Sequence, residues 1–351
     1  MNDCHPIYIL KLTIKPFHAM FKIIGMRRLF MSTKSEVLKA LMEETEGISG
    51  ERLARRLKIS RNSVWKAIVQ LRDDGYEIEA VTNRGYRLQG SPDRISEAEI
   101  SRFLNAQEIG RRMELHELLD STNNRAKAVA ATGAPHGYLV IAESQDGGRG
   151  RFGRPFFSEK GMGIYITYVL RPTLPAERAV MITSMAAVAV ARAIERLADV
   201  EVKIKWVNDL FINDRKICGI LCEASIDFES GQLEYAVVGI GVNVGKAGFP
   251  RELEQVATSI ENECGKHLNR SQLIAEISNE METLYGQLET GAFMCEYRMR
   301  SNVIGREVEV FRGSERFAAQ ALDIDGQGRL VIRTAEGVER VNSGEISLKL
   351  R

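Results

Sequence analysis

Eight residues constrain this chain more than any others. Gly147-Gly148-Arg149-Gly150-Arg151-Phe152-Gly153-Arg154 holds four glycines and three arginines, shortly after the apolar stretch Tyr138 to Ala142. So much glycine excludes a continuous helix or strand interior at this point. It favours a loop leaving a strand, with backbone N–H groups able to close on a ligand and guanidinium forks for a phosphate or carboxylate. The spacing is neither the nucleotide P-loop, which needs Gly-Lys-Ser/Thr, nor the dinucleotide fingerprint. A single copy between strands also argues against a disordered RNA-binding segment.

Three further clusters share this central region. Lys203 to Glu223 reads as two apolar strands around a turn at Asn213-Asp214, with Lys203 and Lys205 on one side by strand alternation. Lys216 precedes an apolar run, which sets its ammonium near a buried site. Val237-Val238-Gly239-Ile240-Gly241-Val242-Asn243-Val244 is a buried strand whose paired glycines call for something close to the backbone. Asp120-Ser121-Thr122-Asn123-Asn124 lies between the strand-like Glu114 to Leu118 and the helix-like Arg125 to Ala131. Ordinary helix capping is the first reading of these residues, and they can also hydrogen-bond a small polar head group.

The chain before this region has a different character. Val37, Leu38 and Leu41 repeat at helical spacing, Leu53, Ala54 and Leu57 mark a second short helix, and Ser60 is an N-cap for a third carrying Val64, Trp65, Ile68 and Leu71. Gly75 ends it, and two short strands, from Tyr76 and from Tyr86, flank a turn at Thr82-Asn83-Arg84-Gly85. Residues 49–72 carry seven cations against Glu51 alone. Helix, helix–turn–helix and wing, with this charge, point to DNA. Arg61, Asn62 and Ser63 are the expected base readers, and Lys66 and Arg84 the phosphate contacts. Gly90-Ser91-Pro92-Asp93 is the linker. The expected domains are therefore residues 33–90, 95–300 and 301–351. The last holds five short strands around the turn Asp325-Gly326-Gln327-Gly328, which suggests a small SH3-like barrel.

With 48 Lys+Arg against 47 Asp+Glu, the chain is no uniformly basic nucleic-acid coat. Its cysteines, Cys4, Cys218, Cys222, Cys264 and Cys295, form no disulfide framework or zinc spacing, which suits a reducing, cytoplasmic setting. No apolar run is long enough to span a membrane. Residues 1–30 are an extension without an assigned function, and Met31 is an alternative start. The five histidines show no metal spacing, and no nucleophile–base arrangement stands out. The chemistry implied is positioning and charge stabilisation around phosphates.

Gly148 to Arg154, Lys205-Trp206-Val207-Asn208-Asp209, Arg215 to Leu221 and Gly239-Ile240-Gly241-Val242-Asn243 occur in an order that resembles biotin–protein ligases. The winged helix makes the chain similar to the bifunctional bacterial type, which is also the repressor of biotin synthesis genes. The resemblance covers about residues 33–351. It implies an α+β chain: a winged helix-turn-helix, a central mixed α/β domain of the class II synthetase-like type, and the SH3-like C-terminal barrel. It implies that biotin and ATP, with Mg²⁺, form biotinyl-5′-adenylate, and that biotin then passes to a lysine of biotin carboxyl carrier protein. It further implies adenylate-promoted homodimerisation and operator DNA binding.

By matching motif, Ser121, Thr122, Asn123 and Gln145 would meet the biotin head group. Gly148, Arg149, Gly150, Arg151 and Lys216 would meet its carboxylate and the adenylate phosphate. Asn208 and Asp209 would lie near metal and nucleotide, Asn243 near adenine, and Gly219, Gly239 and Gly241 along the bound ligand. The resemblance implies that Arg149, Arg151, Lys216 and Asp209 carry the chemistry, under an arginine loop that orders over the intermediate. Val207 replaces a usual Pro, and Pro155 and Phe156 depart from the pattern at the loop end. The alternatives are a lipoate- or octanoate-type ligase and a sensor that has lost catalysis.

Overall fold

In the computed structural model, residues 33–348 are described, except 45, 82–83, 91–93, 228, 247, 313–314 and 343–344. The N-terminal extension with Cys4 and Met31, the Thr82-Asn83 turn and the Ser91-Pro92-Asp93 linker lie outside the described residues. Two compact units form. One is built on the described residues up to Leu88, apart from 75–77, and the other runs from Gln89 onward.

In the first unit, apolar spacing gives α1 (Thr33–Glu43), α2 (Gly50–Leu57) and α3 (Arg61–Asp73). Both later helices start at serine caps: Ser49 accepts from the Arg52 N–H and Ser60 from the Ser63 N–H. Lys58 ends α2 in the left-handed region, and Gly75, with φ of 93°, follows α3. β1 (Glu77–Val81) and β2 (Gly85–Gly90) make a two-stranded sheet. Val64, Ile68 and Leu71 are buried as their spacing requires, but Trp65 is 55% exposed. One residue on from Val64, it is turned about 100° around the helix and off the core face.

The second unit centres on a seven-stranded sheet in the order β3-β4-β5-β9-β8-β7-β6. Its strands are β3 (Met113–His116), β4 (Tyr138–Ala142), β5 (Gly163–Leu170), β6 (Lys203–Lys205), β7 (Asp209–Ile212), β8 (Arg215–Ile226) and β9 (Leu233–Asn243). Only β3 and β4 run parallel. Strand alternation sorts the sheet into two faces. Ile164, Ile166, Tyr168, Val238, Ile240 and Val242 join the main core with α6 (Ala179–Leu197) and α8 (Arg270–Tyr285). On the other face, Val140, Val169 and Val237 pack under Ala126 and Ala130 of α5 (Thr122–Ala131). Helix α5 covers only part of that face, and the rest bears the site. Helices α4 (Glu97–Phe103), α7 (Ile260–Cys264) and α9 (Met294–Met299) complete the helical set.

The last fifty residues add β10 (Glu307–Arg312), β11 (Glu315–Ile324), β12 (Leu330–Thr334), β13 (Gly337–Val341) and β14 (Glu345–Leu348). They form one antiparallel sheet in the order β13-β12-β11-β10-β14. Its apolar residues, such as Val308, Val310, Ile324 and Ile332, belong to the same core as the central sheet. The buried Trp206 indole donates to the Gly328 carbonyl across this junction at 2.9 Å. Hence this sheet and the central one make a single unit.

Candidate active site

Glycines on adjacent strands build the floor of the site. Gly241 of β9 faces Gly219 of β8 on one side and Tyr165 of β5 on the other. Gly239 faces Leu221 and Thr167. Each glycine makes room for a side chain from elsewhere. A Cβ on Gly239 would stand 2.0 Å from Asn123 Oδ1, and one on Gly241 would stand 2.5 Å from the Phe156 ring. The same ring reaches over Gly219 and meets Tyr165 edge to face, with centroids 6.5 Å apart.

Above this floor lies a cavity of about 700 Å³, within the usual range for a small-molecule site. It gathers Ser121, Thr122, Asn123, Gln145, Arg149, Gly150, Arg151, Asn208, Asp209, Lys216, Gly219, Gly239, Gly241 and Asn243 from the sequence expectations. Two do not line it. Gly148 closes the loop instead: its carbonyl accepts from the Phe156 N–H, and a Cβ there would strike Ser158 Oγ at 2.7 Å. Lys203 pairs with Glu201. Five cations line the cavity (Arg149, Arg151, Arg154, Lys205 and Lys216) against Asp209 and Asp214. That imbalance favours an anionic ligand.

The two ends of the cavity differ. At the cationic end, Arg151 Nη1 donates to Asn208 Oδ1 at 3.3 Å, and Lys216 Nζ lies 2.7 Å from Asp209 Oδ1. The latter is an ion pair set off the hydrogen-bonding direction, since that buried oxygen has no hydrogen-bond donor among the described residues. The Asn208 amide is fixed by donating to the Ile220 carbonyl at 2.9 Å. Asn243 donates to the Thr258 carbonyl at 3.0 Å and so ties down the segment that brings Phe249, Val256 and Ala257 to the cavity wall.

The neutral end sits at the start of α5. Ser121 occupies the cap position, yet its side chain makes no capping hydrogen bond among the described residues. Gln145 takes over: its Oε1 accepts from the Thr122 N–H at 2.8 Å and the Thr122 hydroxyl at 3.1 Å. Capping therefore does not explain Ser121. Thr167 and Glu223 stand behind this end, and the sequence reading passed over both. Thr167 is the one buried Thr in β5, whose other residues are glycine, aliphatic and tyrosine, a signal available from the sequence. Burial pushes the Glu223 carboxyl up. The Asn123 hydrogen bond, the Lys127 ammonium and the Arg149 charge outweigh that and hold it below the ordinary glutamate value.

In the first unit, Arg61, Asn62 and Lys66 are exposed along α3, and Ser63 is half-buried beside them. Arg84 is exposed and paired with Glu46. The charge of residues 49–72 is partly spent within the unit. Arg52 pairs with Glu44, Arg56 with Glu43, and Arg72 turns inward to the Ile78 carbonyl. Arg61 and Lys66 have no acidic partner among the described residues, so their charge stays available on α3.

Family comparison fits this division. Residues 33–87 match an HTH domain model, residues 115–243 the biotin/lipoate A/B protein ligase family, and residues 303–349 the biotin protein ligase C-terminal domain. The bifunctional ligase/repressor BirA of Bacillus subtilis is 36% identical over 86% of this chain and 94% of its own length. The chain belongs to the biotin–protein ligase family. The family's bifunctional ligase/repressor from Escherichia coli is 29% identical over 89% of this chain and 96% of its own. Among solved biotin protein ligases, the Aquifex aeolicus enzyme in complex with biotin and ATP superposes with a TM-score of 0.59 at 24% identity. It covers 68% of this chain and 99% of the Aquifex chain, and establishes the shared fold. Among the described residues, no helix is long and apolar enough to cross a membrane.

Proposed function

We propose that this biotin–protein ligase runs two steps in the one cavity. The biotin carboxylate attacks the α-phosphate of ATP, giving biotinyl-5′-adenylate and pyrophosphate. A lysine of biotin carboxyl carrier protein, the acceptor of acetyl-CoA carboxylase, then takes the biotinyl group and releases AMP. The observation that carries this reading is a single cavity with a neutral polar end at Ser121, Thr122 and Gln145 and a cationic end at Arg149, Arg151 and Lys216. An uncharged ureido head suits the first end, and a carboxylate meeting a phosphate suits the second.

Two anions must approach each other in the first step. Arg149, Arg151 and Lys216 offset that repulsion and stabilise the charge that builds on the phosphate. Gly219, Gly239 and Gly241 let Asn123 and the Phe156 ring seat against the strand backbones as the floor on which the extended ligand would lie, and Asn243 would face the adenine side. Asp209, with Asn208 beside it, would hold a Mg²⁺ that arrives with the nucleotide. Asp209 Oδ1 is a buried oxygen without a hydrogen-bond donor among the described residues. A magnesium bound through one carboxylate and substrate phosphates needs no larger protein ligand set. Bound there, the ion would neutralise phosphate charge.

The first unit gives the repressor function. Arg61, Asn62 and Ser63 would read base edges of the operator, with Lys66 and Arg84 on phosphates. The adenylate-bound enzyme would act there as a homodimer, in the cytoplasm. The finer fold reading is a class II synthetase-like central domain with an SH3-like barrel behind it.

The test incubates the full chain with MgATP, apo carrier domain, and biotin or lipoate. Intact mass of the carrier is the readout. A biotinyl gain with biotin alone is expected. No gain, from folded protein that still binds biotin, would leave a sensor without ligase activity.

A further inference from the structure

Behind the neutral end of the cavity runs a chain of hydrogen bonds, half-buried at Glu223 and buried at Thr167, and its direction can be worked out. Glu223 is ionised and only accepts. Its Oε2 lies 2.8 Å from Asn123 Nδ2, and its Oε1 lies 3.0 Å from Lys127 Nζ. Asn123 Nδ2 also donates to the Leu221 carbonyl at 3.1 Å. Asn123 must therefore present its oxygen to the other side, where Thr167 Oγ1 lies at 2.8 Å. An amide oxygen cannot donate, so the single Thr167 proton goes to Asn123. Thr167 Oγ1 is also 2.8 Å from Thr122 Oγ1, and there it is left as an acceptor. The Thr122 proton is then used inside the network, on Thr167 or on Gln145 Oε1. What Thr122 has left is lone pairs.

We infer that Glu223 is a positioning residue for ligand recognition: acting through Asn123 and Thr167, it keeps the Thr122 hydroxyl an acceptor for an N–H of the bound head group. A biotin ureido supplies such an N–H, so the inference rests on the ligase reading above. Only a carboxylate can serve here, because both oxygens accept at once. A carboxamide accepts on one side only. In Glu223→Gln, either Asn123 or Lys127 would face an N–H instead of an oxygen, at nearly unchanged volume. Glu223 does not line the cavity.

A competing role is visible and separable. Glu223 Oε1 also lies 3.8 Å from Arg149 Nη2, so it could act by holding that arginine. That role would act at the carboxylate end, lowering the rate of adenylate formation, and its effect would persist in the Asn123→Ala background.

The experiment compares wild type, Glu223→Gln, Asn123→Ala and the double variant. It measures biotin Kd, kcat at saturating biotin, the KM for ATP and the thermal midpoint. Glu223→Gln is expected to raise the biotin Kd about tenfold, the scale of one misdirected buried hydrogen bond. The kcat should stay within about twofold, with the KM for ATP and the thermal midpoint unchanged. In the Asn123→Ala background, Glu223→Gln should add nothing further. Unchanged biotin affinity, whether with a changed kcat or a lowered thermal midpoint, would overturn the inference, and so would full additivity in the double variant. Wild-type protein that binds no biotin would overturn the ligase reading and this inference with it.

Discussion

Gly239 is the residue where one added carbon should be felt most. A Cβ would stand 2.0 Å from Asn123 Oδ1, so Gly239→Ala must push the amide off its partners. The biotin Kd should rise by at least about tenfold, equivalent to ~1.4 kcal/mol, in a protein whose circular dichroism is unchanged. Arg149→Ala removes a cation from the cavity wall. Biotin-dependent pyrophosphate release is expected to fall about a hundredfold, the scale for losing one charge-stabilising donor, while the separate first unit stays folded by circular dichroism. Residue by residue, the part of the site visible in the sequence was the part written in unusual chemistry. Arginines among glycines and two glycines in an apolar strand are rare enough to be noticed. Phe249, Val256 and Tyr165 are not: an apolar side chain reads the same whether it faces core or cavity. Thr167 and Glu223 could have been noticed, as polar groups in apolar runs, but only distances connect them to Asn123.

At the level of elements, α3 separates what periodicity can and cannot tell. The caps and the Val64, Ile68 and Leu71 face follow from spacing. Trp65 does not, because an apolar residue type was taken to imply burial, while the helix turn places the indole outside. The two cases differ in consequence. Ile68→Ala empties a fully buried position and should cost about 2–5 kcal/mol. Trp65→Ala should leave the unit's stability within about 0.5 kcal/mol, as for exposed positions in general. Urea titration followed by far-ultraviolet circular dichroism would measure both. A large loss at Trp65 would contradict its placement. The glycine platform is also an element-level feature: Gly219, Gly239 and Gly241 come together only through the β8–β9 register, which no motif states.

Over the whole molecule, the sequence suggested three blocks and the contacts form two units. The break near Gly90 is marked by turn residues. The core that residues 303–349 share with the central sheet joins distant segments across Ser301, which linear patterning does not carry. Calorimetry should therefore resolve two transitions. Biotin with MgATP should raise only the one belonging to Gln89 onward, by about 4 kcal/mol at a thousandfold excess over Kd. A single transition that moves as one with ligand would show that the two units unfold together.

The Trp206 to Gly328 hydrogen bond has a practical meaning for anyone wishing to shorten this protein. Trimming is not symmetrical. Removing the chain up to about Gln89 takes away one self-contained body and leaves a ligase that cannot read DNA. Removing the chain after Ser301 takes away much less, yet leaves an indole N–H facing no acceptor, a core open along one side, and a cavity without Ile346 in its wall. A minimal biotin-attaching enzyme made from this sequence should be cut from the front only.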